Sequence, residues 1–142
     1  MSIEVPKDRS EILGDVSKKF FSISEKLVER KSEGQNNLFG PDSEKTFLKI
    51  SELLESEDDK NFEVAAKMME DEVNQFGKHA GRKTVDNIVS LSETIKIFNE
   101  LSENLDVFDK ENPNIVKMSK LAKSVENVLK RKRNLLSEYL NN

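Results

Sequence analysis

The sequence predicts an all-α protein, an elongated antiparallel bundle of four long helices plus one short helix. Three observations predict it. Apolar residues recur at spacings of three and four along most of the chain, the period of helices that each bury one stripe. No apolar–polar alternation of the kind a half-buried strand needs persists beyond a few residues. Glycines and prolines cluster between the stripes, at Gly34, Gly40, Pro41, Gly77, Gly81 and Pro113.

Residues 1–7 read as a flexible N-terminal segment closed by Pro6, and residues 8–142 as a single helical-bundle domain. The first helix spans about Asp8 to Glu33. Ile12, Val16, Phe20, Ile23 and Leu27 form its stripe, which Leu13, Phe21 and Val28 widen. The segment GQNNLFGPDS is a loop whose Leu38 and Phe39 are expected to plug one end of the bundle, with an exposed partner anchor as the other reading. Asp42 or Ser43 then caps the short second helix, where Phe47, Ile50 and Leu54 face inward, flanked by Leu48 and Leu53. The acidic run ESEDDKN ends that helix and starts the third. There Phe62, Ala65, Ala66, Met69, Val73 and Phe76 make a narrow stripe.

Glycines 77 and 81 predict a break, although a kinked helix would also fit. The fourth helix runs from about Thr84 to Phe108, with Ile88, Leu91, Ile95, Phe98, Leu101, Leu105 and Phe108 inward. Asn112 caps the fifth, with Pro113 at its first position, where the missing N–H has no helical partner to lose. In this last helix Met118, Leu121, Val125, Val128, Leu135 and Tyr139 recur at heptad spacing, and Lys132 takes one slot of the series. Phe20, Ile95, Phe98 and Val125 are expected in the core.

Apolar and charged residues each make up 35 % of the 142. So polar a chain has a thin core, which suits long helices or a core completed by dimerisation. With no cysteine, disulfides and thiolate metal ligands are excluded. No stretch approaches the ~18 apolar residues of a membrane span, and the start of the chain lacks the apolar run of a signal peptide. The expectation is a soluble, cytoplasmic protein with no membrane contact.

Charge is divided between elements. From Pro113 onward there are seven Lys or Arg against two Glu, whereas residues 1–112 carry sixteen against twenty-five acids. Lys130, Arg131, Lys132 and Arg133 form the densest cationic block. Four adjacent cations span most of a helix circumference at ~100° per residue, so that turn cannot be buried as a whole. Leu135, Leu136, Tyr139 and Leu140 follow as a short apolar patch. A cationic collar beside an apolar patch suits an acidic or amphipathic protein partner. Nucleic acid is the alternative, opposed by the acidic remainder of the chain. The bland reading has the fifth helix packed beside the second and third, with its charges paired along the rims.

His79 is the only histidine. One histidine without cysteines supplies too few ligands for a metal site, and no Glu-x-x-His pair is present. Lys78, His79, Arg82 and Lys83, near the start of the fourth helix, form a candidate anion site. The residues His79-Ala80-Gly81-Arg82 resemble the histidine of phosphotransfer bundles, which a basic residue follows three positions on. Lys83 stands where that family has glycine. No phosphate loop, nucleophile elbow or catalytic triad is legible, so neither catalytic residues nor a cofactor is expected. The sequence therefore favours a non-catalytic interaction module, an adaptor, chaperone or small regulator. Its partner surface would be Lys130, Arg131, Lys132, Arg133, Leu136, Tyr139 and Leu140, with a homodimer as a further expectation. A nucleic-acid-associated protein comes second, and a phosphotransfer or anion-sensing bundle centred on His79 third.

Overall fold

A computed structural model describes residues 8–34, 38–79 and 88–141, with the side chains of 77–79 and 141 left aside. Five helices follow in order: α1 (Arg9–Ser32), α2 (Ser43–Leu53), α3 (Asp59–His79), α4 (Ile88–Phe108) and α5 (Pro113–Asn141). The expected fold class holds, four long helices and one short, packed antiparallel. Gly77 does not end α3, which continues to His79. Residues 80–87, where the rest of the expected break falls, lie outside the described residues, as do residues 1–7.

Each helix packs on two others, in the closed order α1, α2, α3, α5, α4 and back to α1. The helices alternate in direction along the chain. A ring of five alternating elements must therefore contain one parallel seam, and here it is α3 against α5. Their N-termini meet where the Asn112 amide donates to Asp59 at 3.2 Å. The other four seams are antiparallel.

The core inside this ring contains Phe20, Phe98, Ile95 and Val125, as expected from their positions in the stripes. Leu38 and Phe39 are buried, so their loop is the plug and not an exposed anchor. Phe39 sits edge-on to Phe47 with centroids 5.0 Å apart, and lies 5.1 Å from Phe76 and 6.2 Å from Phe98. One loop residue thus joins α2, α3 and α4. Glu72 holds the plug in place by accepting hydrogen bonds from the Thr46 hydroxyl and the Gly40 N–H, and burial pushes its carboxyl above the ordinary range.

Three stripes differ from expectation. Phe21 and Val28 do not widen the buried face of α1; both are about half exposed, at 45 % and 52 %. Small and polar residues widen it instead. Ser17 and Ser51 each donate to the other's carbonyl at 2.8 Å, drawing α1 and α2 together, and Ser24 donates to the Glu44 carbonyl. Ser102 and Ser119 form a second such bridge between α4 and α5, their hydroxyls 3.2 Å apart. On α2, Leu48 is exposed, while Leu53 is partly buried. On α5 the inner line is Ile115, Met118, Ala122, Val125 and Leu129. Leu121 and Val128 only flank it, and Leu135 and Tyr139 are exposed. The heptad reading selects large residues, but Ala122 wins the inner position because α5 lies close to its neighbours there.

Asp42 also departs from its expected role. It precedes α2 in the left-handed region, at φ 60°, and its side chain makes no capping bond. Its carbonyl accepts from Lys45 and Thr46 instead. Asn112 caps α5 as expected, accepting from the N–H groups of Asn114 and Ile115 at 3.0 and 3.3 Å.

The starts of α1, α3 and α5 share one end of the bundle, and Arg9 ties that end together. It pairs with Glu57 before α3, donates to the Phe108 carbonyl at 2.9 Å and to Asp109 at 2.8 Å, and lies over the Phe108 ring. Asp109 also receives the N–H groups of Glu111 and Asn112. Arg9 and those two N–H groups lower the Asp109 pKa to about 2.

A carboxylate held so far below its unfolded value contributes stability at neutral pH, and that contribution disappears as the pH falls from about 4 toward 2. Asp109→Asn is expected to lower the thermal midpoint at pH 7 and to leave it nearly unchanged near pH 2, which a calorimetric pH series measures. The serine bridge predicts a different response. Ser17→Ala should cost about 1 kcal/mol, the loss of one hydrogen bond. Ser17→Val, which pushes α1 from α2, should cost ~1–3 kcal/mol by urea unfolding.

Candidate interaction surface

The seams fix how far α5 extends. Lys26 pairs with Glu93 across α1 and α4, and Ser102 meets Ser119 across α4 and α5. Counting along these registers sets Ser32, the end of α1, level with about residue 134 of α5. The last seven or so residues therefore run on for ~10 Å beyond α1. Lys130 to Arg133 sit at the rim, not on the overhang.

This placement divides the basic block. Lys130 lies 3.1 Å from the carboxylate of Glu126, one turn before it, and Lys123 donates to the same group at 3.3 Å. Glu126 is fully buried. Lys132 is half-buried on the inner side of α5 and engaged in an interaction of its own. Arg131 and Arg133 make no hydrogen bond or ion pair among the described residues. Arg131 is exposed and Arg133 half-buried.

Beyond the block, Leu135, Tyr139 and Leu140 are 67 %, 79 % and 63 % exposed. Leu136 turns inward and packs on the core. Of the expected patch and basic block, the structure thus leaves Arg131, Leu135, Tyr139 and Leu140 exposed and Arg133 half-exposed. Lys130 and Leu136 are engaged within the fold. The sequence did contain a signal for this division. Leu136 continues the four- and three-residue spacing of Ala122, Val125, Leu129 and Lys132, whereas Leu135 does not.

The bland reading of the charges is half right. The fifth helix packs on α3 but on α4 rather than α2. Lys117, paired with Glu70, bridges α5 to the acidic α3. Glu126 is a carboxylate drawn into the core side of α5. Two lysines of its own helix, both about half exposed, reach over it from the surface, which a reading of one face at a time misses. Lys26 and Arg30 are likewise buried at the α1–α4 seam, where Lys26 pairs with Glu93 and Glu29 and Arg30 donates to Ser90 at 3.2 Å.

The side chains of Lys78 and His79, and the whole of Arg82 and Lys83, fall outside the described residues. Among the described residues, no group of three His, Cys, Asp or Glu could hold a metal ion. No described helix is long and apolar enough to cross a membrane.

The division of the basic block predicts unequal stability effects. Lys130→Ala strips one of two cations from a buried carboxylate and should cost about 1–3 kcal/mol. Arg131→Gln with Arg133→Gln should stay within about 0.5 kcal/mol of the parent in the same urea titration. No protein-family model, no curated protein and no solved structure matches this chain.

Proposed function

We propose that the protein is a non-catalytic interaction module whose C-terminal helix end captures an acidic or amphipathic protein. The observation that carries this reading is the pairing of Arg131 and Arg133 with exposed Leu135, Tyr139 and Leu140 on a helix end running past α1. Two guanidiniums without a partner among the described residues supply orientation and salt-dependent attraction, since Arg engages carboxylates through a planar fork. The three apolar side chains supply buried area, about 1.5–3 kcal/mol for each that becomes fully covered. An adaptor, a chaperone or a small regulator would each use such a surface.

The core closes within one chain, so a partner is not needed to complete it. A homodimer is therefore proposed only through this same surface. The nucleic-acid alternative uses the same cations but leaves the apolar patch without a role.

The test is photocrosslinking from position 139 in cells of the native host, followed by mass spectrometry. An acidic protein captured by the parent chain, and lost with Arg131→Gln and Arg133→Gln, supports the proposal. Crosslinks chiefly to nucleic acid would overturn it in favour of the alternative.

A further inference from the structure

One end of the bundle is far more acidic than its helix ends require. At the end where α1, α3 and α5 begin, segments 8–11, 52–60 and 106–111 hold ten carboxylates and three cations. Three helices start there and two finish. Each terminus contributes ~0.5 of an elementary charge, so the backbone supplies only about half a positive charge to offset a net −7. Arg9, among the cations counted, is already committed to Glu57 and Asp109. Glu52 and Glu55 are exposed and make no side-chain bond among the described residues. Val107 lies at the same end and is 67 % exposed. The opposite end carries Arg131 and Arg133 beside Leu135, Tyr139 and Leu140.

We infer that the basic, apolar end of α5 docks onto the acidic end of a second copy of this chain, so that molecules join head to tail. This rests on the proposed binding role of the α5 end and names its partner. Charge complementarity carries the choice. The surface asks for an acidic partner with some exposed apolar area, and the far end of the same molecule provides both. The two patches lie at opposite ends of a long bundle, so molecules docked end to end use one head and one tail at each contact. Such a contact is heterologous and leaves one free head and one free tail after every addition. The product is an open series of dimers, trimers and longer chains. Its attraction is electrostatic and between exposed groups, so it weakens steeply with salt.

Sedimentation velocity of the full chain tests this. At low ionic strength the parent should form concentration-dependent species beyond the dimer, and these should revert to monomer on the order of 0.5 M salt, where the Debye length is only a few ångströms. Arg131→Glu with Arg133→Glu removes the tail, and Glu52→Lys with Glu55→Lys removes the head. Each double variant alone should stay monomeric. An equimolar mixture of the two should associate, because the mixture holds one intact head for each intact tail, on different molecules. A parent that remains monomeric at low salt overturns the inference, as does association of either variant alone or a mixture that does not pair. Should the parent be monomeric while position 139 still crosslinks to an unrelated acidic protein, the head-to-tail contact fails and the interaction module stands. A tail variant with Tyr139→Ala in place of the charge reversals should weaken association at least about tenfold if the apolar contact is part of it.

Discussion

Five helices that alternate in direction cannot close a ring without placing two of them parallel, and much else in this protein depends on that constraint. Closure is what lets a chain with only 35 % apolar residues bury a continuous core. The parallel seam between α3 and α5 sets three N-termini at one end, two of them side by side. Their free N–H groups call for side-chain oxygen acceptors, which explains why Asp8, Asp58 and Asn112 each accept backbone N–H bonds there. It also explains why one arginine can hold that end together, since Arg9 reaches both Glu57 and Asp109 across the converging connections.

The same constraint frees the end of α5. A helix of 29 residues in a ring whose other long members have 21 to 24 must outrun them. Shared starting heights at the clasped end push the surplus to the far end. Near the rim the inner line of α5 changes character, from Val125 and Leu129 to the half-buried Lys132. Cations are favoured at a helix C-terminus, and the carbonyls of three helices point toward that end. The basic rim is therefore in part a consequence of topology. What topology leaves unexplained is the excess: the acidic end is overcharged relative to its helix dipoles, and the α5 end leaves Leu135, Tyr139 and Leu140 mostly exposed.

The interior is held by two kinds of contact. Phe39 works from a loop, filling the space among Phe47, Phe76 and Phe98 that the short α2 leaves at its own start. The serine bridges work from within helices, and they draw α1 to α2 and α4 to α5 more closely than leucines would allow. Hydroxyls that answer their partner's carbonyl stay satisfied while buried, so close approach is reached without an orphaned polar group.

The sequence by itself determined the helical class, the identity of nearly every core residue on α3 and α4, the plug at Leu38 and Phe39, and the Asn112 cap. These follow from local physics: period, side-chain volume and the hydrogen-bonding habits of turn residues. Tertiary structure alone decided which flank of a stripe goes inward. Phe21 lost to Ser17 and Ser24, and Leu121 to Ala122, because the distance to the neighbouring helix selects for size where hydropathy selects for greasiness. It also decided which charges are spoken for. Lys130, Arg131, Lys132 and Arg133 are alike in sequence, and only the height of α5 in the ring and the buried Glu126 separate the two lysines engaged in the fold from the exposed Arg131 and half-buried Arg133. That distinction depends on where the other four helices end, which no single helix encodes.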